Sequence, residues 1–508
     1  MSNTRTRTEG RTYRGAAEVG APRLGALPGV HRDETDPQLV LETERYDTED
    51  RRLAAAGIAL AVRRGGPDTP ARWELDLPDG DSHERLRVPI PPDDSAAPAL
   101  PVELDELIRG VTRRQPVRPA GRVRIVRTVT RLLDARDRSI AELVHDHITL
   151  ATLGQATAVA AWTEVELRSG HRAPVEEIEQ RLIEAGLRPG EPAVDAELSR
   201  LLRPAPRPRR AGRRGSAGAA LVEYLATHVD RLAAEELRVR RGEPDSVHQL
   251  RVASRRLRSA LQAFRPLLDR RHTDPIVEDL REFGRELAPA RDAEVLHERI
   301  SAGLAGLPPE LLLGPVQAQV ARHFARAESE CGAAVLSTLD GERYARLRSA
   351  LEDLVARPPL TRKAKADASA ELPRQVARTA RRLQHAVGIA IDPGQDAEQR
   401  DLAVHDARKA GKRLRYATEV VRPVVGEDAK RFAKALKGFQ TALGEHQDTV
   451  VAREALRELG AQAYAAGENG FSFGLLHGQD AALAARIEEQ LPALWADAWT
   501  PRNRRWLR

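Results

Sequence analysis

A long internal repeat constrains the fold of this chain more than any other feature of its sequence. The segment VHQLRVASRRLR at residues 247–258 recurs as VHDARKAGKRLR at residues 404–415, an offset of 157 residues. Further along, LAPARD ending at Asp292 recurs as LGEHQD ending at Asp448, an offset of 156 residues. Similarity at one long period indicates a tandem duplication of a structural unit. We place the two copies at about residues 219–360 and 361–508.

In the first copy, the repeated segment places its basic residues along one face of a predicted helix. Each residue of an α-helix turns by about 100°, so His248, Arg251, Arg255 and Arg258 fall within an arc of about 80°. The leucines of this segment fall on the opposite side of the helix. Burying those leucines in a bundle turns this first basic stripe away from the apolar core.

The second copy repeats the pattern with His405, Arg408, Lys412 and Arg415, which form the second basic stripe. Like charges three or four residues apart destabilise a helix by about 0.2–0.5 kcal/mol per pair, so another group has to compensate for them. A polyanion does this well, because arginine forms bidentate hydrogen bonds with phosphate oxygens and binding releases condensed counterions.

A second interpretation treats each stripe as solvated surface that acids of neighbouring helices, such as Asp292 and Asp448, neutralise. One stripe alone favours that interpretation, whereas two stripes in the same register favour a binding site. His248 and His405 lie next to cations and are expected to carry neutral rings. Neither is followed three or four residues later by a second metal ligand, so no metal site is predicted.

The first part of the chain has a different pattern. Short alternations of polar and apolar residues, separated by Gly, Pro and Asp, recur between residues 38 and 163 and are typical of antiparallel strands. We predict a barrel with a charged interior, closed by a helix at residues 175–185. The predicted strands include residues 39–44, 71–77, 84–88, 122–127 and 162–167.

Two segments that flank this region are predicted to lack regular structure. Residues 1–37 are rich in Arg, Thr, Gly and Pro without periodicity, which indicates a disordered tail. Residues 203–218 carry six arginines and no acid among Pro and Gly, which is typical of an extended linker, with a nucleic-acid-binding arm as the alternative. The chain is therefore predicted to be multidomain, with a β domain at residues 38–202 and an all-α domain at residues 219–508.

Charge and cysteine content exclude several classes of protein. Lys and Arg number 81 against 75 Asp and Glu, and the net charge of +6 describes a mixed surface that is not uniformly basic. Cys331 is the single cysteine of the sequence, which excludes a disulfide framework and a multi-cysteine zinc site. No apolar run approaches the roughly 18 residues of a membrane span. The sequence favours a cytoplasmic protein without a membrane partner.

The tandem pattern His-x-x-Arg-x-x-x-Arg/Lys-Arg-x-Arg, each copy followed by an Asp-containing turn, resembles the CHAD domain, the conserved-histidine α-helical domain, over about residues 219–500. The resemblance implies two four-helix bundles with pseudo-twofold symmetry, whose basic helices face a shared groove that binds inorganic polyphosphate. Lys437 matches Arg281 of the first copy, and Gln447 stands where the first copy has Arg291. The residues predicted to bind polyphosphate are His248, Arg251, Arg255, Arg256, Arg258, Arg291, His405, Arg408, Lys409, Lys412, Arg413, Arg415, Lys434 and Lys437.

The β domain resembles the CYTH, or triphosphate tunnel, family through YDT at 46–48, RLAAAGI at 52–58, WELDLP at 73–78 and EVEL at 164–167. That resemblance implies an antiparallel tunnel in which glutamates hold a metal ion and basic residues clamp a triphosphate. The family's opening Glu-x-Glu-x-Lys strand is absent from residues 1–37, and Asp76 and Ala61 stand where the family has Lys and Arg. A degenerate tunnel is predicted. Its residual triphosphate site consists of Arg63, Arg127, Glu164 and Glu166, with Asp146 also retained.

The sequence leaves three functions open. Polyphosphate binding by the two stripes, without a cofactor and with association to polyphosphate granules, is favoured. The enzymatic alternative is a triphosphatase in the β domain that depends on Mg²⁺ or Mn²⁺, although the missing strand motif favours binding over turnover. Nucleic-acid binding through the linker and the stripes is the third, and the scarcity of aromatic residues counts against stacking on single strands.

Overall fold

A computed structural model of the chain divides into two compact units, Met1–Pro206 and Arg207–Arg508. It describes residues 9–507 except 21, 23, 25–26, 66–69, 80–81, 92–97, 153–158, 170–172, 191–193, 205–211, 393 and 395. The division falls within the predicted linker at residues 203–218, of which residues 205–211 lie outside the described residues. The combination of an antiparallel β region followed by an all-α region confirms the predicted fold class.

Among the described residues, the first unit forms a ten-stranded antiparallel sheet. Its strands are β1 (Glu9–Ala16), β2 (Arg32–Thr35), β3 (Leu39–Asp47), β4 (Ala59–Arg64), β5 (Arg72–Asp79), β6 (Ser82–Pro89), β7 (Arg118–Leu133), β8 (Ser139–Thr152), β9 (Val159–Ser169) and β10 (Arg188–Pro189). Its helices are α1 (Arg52–Ala55), α2 (Val102–Thr112), α3 (Val175–Glu184) and α4 (Val194–Leu202). The strand order is β10-β1-β9-β8-β7-β3-β4-β5-β6, with β2 paired to β7. No pairing between described residues joins β10 to β6, so closure into a barrel stays a prediction.

Alternation along the strands gives this sheet one apolar face and one face that carries both charged residues and a second apolar cluster, which includes Val123, Ile148 and Trp162 and packs against α4. On β9, Val165 and Leu167 are buried and pack with Ile178 and Leu182 of α3. Residues at even positions of β9 face the other way, because successive strand residues alternate between faces. Arg127, Asp146 and Glu166, which the CYTH resemblance singles out, therefore share the face opposite the α3-covered core.

The prediction of a disordered tail at residues 1–37 is wrong for two segments. Strand β1 pairs along its length with β9, and β2 pairs with the end of β7. Tyr13 of β1 is 1% exposed and belongs to the apolar core beneath α3. The strand that opens the sheet is thus present at Glu9–Ala16, although it lacks the Glu-x-Glu-x-Lys motif. Its single large apolar side chain gave no alternation that the sequence pattern could reveal.

The second unit is helical. Its helices are α5 (Ala217–Arg240), α6 (Ser246–Ala263), α7 (Arg270–Glu286), α8 (Ala288–Ala305), α9 (Val316–Asp340), α10 (Glu342–Ala356), α11 (Ala368–Ala390), α12 (Ala397–Val425), α13 (Glu427–Ala465), α14 (Phe471–Ala498) and α15 (Pro501–Arg504). Short 3-10 turns lie at Arg265–Leu267, Pro309–Leu311, Arg362–Lys365 and Arg505–Leu507. Among the described residues, no helix is long and apolar enough to cross a membrane.

The two copies follow the same order of helices. Helices α5, α6, α7–α8 and α9 of the first copy correspond to α11, α12, α13 and α14 of the second. Pro289 interrupts the third segment of the first copy, because proline has no N–H and its ring clashes with the preceding turn. Glu445 stands at the equivalent position of the second copy, where α13 continues unbroken over 39 residues.

Both copies contribute to one continuous apolar core. Leu225 of α5, Leu257 of α6, Leu383 of α11 and Leu414 of α12 are each fully buried in it. Helix α6 packs against α12, so the two helices that carry the basic stripes are neighbours. The shared core therefore fixes the position of one stripe relative to the other.

Candidate functional site

The two basic stripes meet where α6 packs against α12, and we call this junction the basic groove. Arg255 of the first stripe lies beside Lys412 of the second. Burial, together with the neighbouring guanidinium groups of Arg408 and Arg255, lowers the pKa of Lys412 to about 7. One of these guanidinium groups belongs to each copy, so the cations of the two stripes lie close together in a partly buried site.

Tyr416 lies at the centre of the basic groove and is fully buried. Its hydroxyl oxygen accepts hydrogen bonds from Arg255 Nε at 3.0 Å and from Arg415 Nη2 at 3.1 Å. The guanidinium carbons of Arg255, Arg256 and Arg415 lie 5.9, 5.7 and 4.8 Å from the centroid of its ring. One tyrosine therefore contacts arginines from both copies through its hydroxyl and its π face.

Glu419, one turn after Tyr416, is the acid of the basic groove. Its carboxylate accepts hydrogen bonds from Arg256 Nε at 2.9 Å and Nη2 at 3.4 Å. Tyr224 of α5 donates to the same carboxylate at 3.0 Å, and Arg415 Nε lies 4.0 Å away. This carboxylate connects three helices, α5, α6 and α12.

Arg258 of α6 and Arg413 of α12 are a further pair of cations from the two copies that lie near one another. Burial, with Arg255 and Arg413 nearby, lowers the pKa of Arg258. Burial, with Arg382 of α11 nearby, does the same to the pKa of Arg413. Arg256 and Arg415, which sit one repeat away from Arg413 and Arg258, meet at Glu419. Reciprocal contacts of this kind are what a twofold relation between the copies produces.

The outer arginines of the two stripes are anchored to acids, as the solvated-surface interpretation expected. Arg251 Nη1 lies 3.4 Å from Asp292 and also donates to the carbonyl oxygens of Leu287 and Ala288, where α7 gives way to α8. Arg408 Nη2 lies 3.5 Å from Asp448. The unbroken α13 offers no such carbonyls, and Arg408 Nε has no hydrogen-bond partner among the described residues.

The two stripe histidines are disfavoured as cations, in the direction that the sequence predicted. Burial, followed by the charge of Arg291, lowers the pKa of His248. Burial also lowers the pKa of His405, whose Nδ1 is hydrogen-bonded to Gln447. Gln447 thus contacts the histidine of its copy directly, while Arg291 acts on His248 by charge and pairs with Glu294 at 2.7 Å.

Three predicted lysines lie on the exposed surface of α12 and α13. Lys409 is exposed and pairs with Asp406 at 3.3 Å. Lys434 and Lys437 are exposed on α13, and neither makes a hydrogen bond or ion pair with another described residue. Arg281, which the sequence matched to Lys437 without proposing it, is close enough to Arg258 to lower its pKa.

Several cations of the basic groove lack a direct ion-pair partner among the described residues. Among the described residues, Lys412, Arg258 and Arg413 form no ion pair with an acidic side chain, although each is partly buried. Arg255 contacts the neutral hydroxyl of Tyr416 and no acid within that same part of the chain. Cations held together in this way stabilise an anion that enters the groove.

Comparison with known proteins identifies the family. A family model described as the CHAD domain matches residues 223–457. The uncharacterized protein MT2285 of Mycobacterium tuberculosis (strain CDC 1551 / Oshkosh) is 32% identical over 495 residues, which cover 93% of this chain and 92% of that protein. This chain belongs to the CHAD-domain family. The recognition of the CHAD domain from the repeated stripes is thereby confirmed.

Two solved structures are also similar to this CHAD-domain protein. The crystal structure of the CHAD domain from the plant Ricinus communis is 25% identical and covers 58% of this chain and 96% of that chain, with a TM-score of 0.45. HpAC1 from Hippeastrum, described as having a dominant triphosphatase activity, is 16% identical and covers 39% of this chain and 97% of that chain, with a TM-score of 0.23.

In the β unit of the CHAD-domain protein, the predicted residual triphosphate site is occupied by the protein's own ion pairs. Arg127 donates to both carboxylate oxygens of Asp146, at 2.8 and 2.7 Å. Arg63 Nε lies 2.6 Å from Glu74, and Arg168 Nη2 lies 3.0 Å from Glu166. Glu164 belongs to β9, and its side chain lies outside the described residues.

Asp76, where the CYTH family has a basic residue, is also engaged in ion pairs within the protein. Its carboxylate lies 2.8 Å from Arg85 and 3.2 Å from His83 on the neighbouring strand β6. The carboxylate of Asp76 therefore neutralises the charge of Arg85, which is then less available to bind a phosphate. The face therefore carries alternating charges that neutralise one another and offers a phosphate fewer free donors than the basic groove does.

One group of side chains has ligand atoms close enough together to bind a metal ion. The ligand atoms of Asp401, His446 and Glu488 lie within 4.8 Å of one another, a geometry that no other described trio of His, Cys, Asp or Glu shares. His446 Nε2 lies 2.9 Å from Glu488, and the two carboxylates also pair with Arg400 and Arg453. Two guanidinium groups already neutralise these acids, so the trio is best explained as an ion-pair network that joins α12, α13 and α14.

Proposed function

We propose that this CHAD-domain protein binds inorganic polyphosphate in the basic groove between α6 and α12. The observation that carries the proposal is a row of partly buried cations from both copies, in which Arg255 is near Lys412 and Arg258, and Arg258 is near Arg413. Among the described residues, none of the four forms an ion pair with an acidic side chain. Their mutual repulsion is relieved when an anion enters. An anion of repeating charge suits a site that extends along two stripes.

The chemistry of the groove favours phosphate oxygens. Guanidinium groups offer planar pairs of N–H donors that match two oxygens of a phosphate, and they stay charged at any physiological pH. The neutral rings of His248 and His405 add donors at the far ends of the stripes. A linear chain of phosphates binds several of these donors at once and releases counterions as it does so. In the cell, such binding places the protein in the cytoplasm, at polyphosphate granules.

Nucleic acid offers a similar backbone charge, yet the groove lacks a feature that nucleic-acid binding uses. Tyr416, its aromatic residue, is fully buried, and its ring is covered by arginines. No base can stack on it, and stacking contributes about 1–3 kcal/mol per base in single-strand binding. We therefore expect long polyphosphate to displace DNA from the protein at equal salt.

The test is a titration of the full chain with long-chain polyphosphate at fixed salt. Replacing Arg255 and Lys412 with Ala is expected to weaken binding by at least about tenfold and to reduce the slope of log affinity against log salt. The matched control is Arg326→Ala with Arg346→Ala, which removes the same charge from side chains that are 83% and 70% exposed on α9 and α10. Equal affinity of the folded groove variant and the control would sink the proposal.

A further inference from the structure

Tyr416 and Glu419 have no equivalents in the first copy. One repeat earlier, their positions hold Ser259 and Gln262. The second copy therefore supplies an acceptor hydroxyl and a carboxylate. Arg255 of the first copy and Arg415 of the second donate to the hydroxyl, and Arg256 of the first copy donates to the carboxylate. This asymmetry breaks the relation between two otherwise matched stripes.

We propose that Tyr416 and Glu419 form an inter-repeat clamp that positions Arg255 and Arg256 of the first copy for binding polyphosphate. The inference rests on the proposed function and adds to it the residues that orient the first stripe. In this arrangement neither clamp residue binds the ligand. Both act through the guanidinium groups that they hold.

The hydrogen bonds of Tyr416 leave the phosphate-binding edge of Arg255 free. Its hydroxyl takes only the Nε–H of Arg255, and the terminal nitrogens make no hydrogen bond within the described chain. Those nitrogens form the outer edge of the guanidinium fork. The phenol ring is fully buried, so its oxygen is a fixed point against which the arginine is oriented.

Glu419 requires an explanation, because a carboxylate in the groove repels a polyanion. It also holds Arg256 through two nitrogens and is itself held by Tyr224. A long side chain that is already fixed loses less rotamer freedom on binding than a free one. Glu419 therefore weakens the electrostatic attraction for a polyanion, but it reduces the entropy that Arg256 loses on binding. It also makes the orientation of the first stripe depend on contact with the second copy.

The experiment is a double-mutant cycle on the full chain, titrated with long-chain polyphosphate. Tyr416→Phe keeps the buried ring and removes the hydroxyl, and it is expected to weaken binding about five- to tenfold with an unchanged salt slope, because the number of cations is the same. In the Arg255→Ala, Arg415→Ala background, Y416F should have no further effect. A purely structural role would weaken binding equally in both backgrounds.

Tyr344→Phe is the matched control, because it removes another buried hydroxyl that makes a hydrogen bond, which Tyr344 donates to Glu236 at 2.8 Å. It should leave polyphosphate affinity unchanged. If Y416F does not fold, Glu419→Gln decides, since the clamp predicts weaker binding despite the lost negative charge. A rise in affinity would show that the carboxylate acts only as a repelling charge.

The outcomes separate this inference from the function on which it rests. Loss of binding in the Arg255→Ala, Lys412→Ala variant with unchanged binding in Y416F overturns the clamp and leaves the groove as the binding site. Unchanged binding in both variants overturns the proposed function, and the clamp with it. Weaker binding in Y416F that disappears in the R255A, R415A background supports the clamp.

Discussion

At the scale of single residues, Lys412 differs from the arginines around it because it can lose its charge near neutral pH. Burial and the adjacent guanidinium groups lower its pKa to about 7, whereas arginine stays protonated. A phosphate chain in the groove favours the ammonium form and raises that pKa. At a pH above the pKa of Lys412 in the free protein, binding of polyphosphate is therefore accompanied by uptake of a proton. The affinity for polyphosphate consequently falls as pH rises.

We predict that polyphosphate affinity decreases as pH rises through the pKa of Lys412, between about pH 6.5 and about pH 8.5, whereas burial lowers the pKa of both stripe histidines. Lys412→Arg, which keeps the charge, should flatten this dependence. Isothermal titration in two buffers of different ionisation enthalpy measures the proton uptake directly. Identical pH profiles for the wild-type protein and K412R would exclude Lys412 as the titrating group.

The residues of the groove differ in how visible they were in the sequence. The two stripes could be predicted from helical spacing and from the repeat, because all residues of a stripe lie in one short segment of sequence. Tyr416 and Glu419 escaped this reasoning, since their partners, Arg255, Arg256 and Tyr224, come from other helices. Lys409 has the right spacing, but it lies at an exposed edge beside an acid of its own helix.

At the scale of elements, sequence pattern revealed strands that have one buried face and missed those that do not alternate. Strands β3, β5, β6, β7 and β9 were predicted in place. Strand β8 carries a nearly continuous buried run with His145 and Asp146 inside it, so neither face stood out. Helix α2 has an apolar face, but it begins after Pro101 without a capping side chain that would mark its start. Closure of the sheet depends on pairings between distant strands, which no local pattern encodes.

Two glycines give opposite predictions for helix stability. Gly332 lies on the exposed surface of α9, and a Cβ there would meet no other atom within 4 Å. Gly332→Ala should raise the free energy of unfolding of the helical unit by about 0.5–1 kcal/mol, because alanine loses less backbone entropy in a helix.

Gly218, at the start of α5, would place a Cβ 3.1 Å from the carbonyl oxygen of Ala364. Gly218→Ala should lower the same free energy by about 1–3 kcal/mol.

Chemical denaturation followed by far-ultraviolet circular dichroism measures both effects. Polyphosphate affinity serves as the control, because neither glycine belongs to the basic groove, and it should not change in G332A. A stabilised G218A variant would contradict the close packing of α5 against the turn at Arg362–Lys365.

At the scale of the whole molecule, a net charge of +6 hides two different arrangements of charge. The charged face of the first unit carries acids and bases that pair across neighbouring strands, as Arg127 does with Asp146. The groove of the second unit gathers cations from two copies around Glu419, with Asp292 and Asp448 beside the outer arginines. Counting charges cannot distinguish these arrangements. The difference lies in which strands and helices the fold makes neighbours.

This difference predicts where the full chain binds phosphate. Removing the pair Arg127 and Asp146 together, as Arg127→Ala with Asp146→Ala, leaves neither partner buried alone. That variant should change polyphosphate affinity by less than about twofold, whereas Arg255→Ala with Lys412→Ala should abolish most of it. A phosphate-release assay with tripolyphosphate and Mg²⁺ or Mn²⁺ tests the same face for turnover, and we expect none. Metal-dependent phosphate release by the wild-type protein that is lost in R127A/D146A would instead assign an active triphosphate site to the first unit. Such a loss is expected only if Arg127 or Asp146 takes part in turnover.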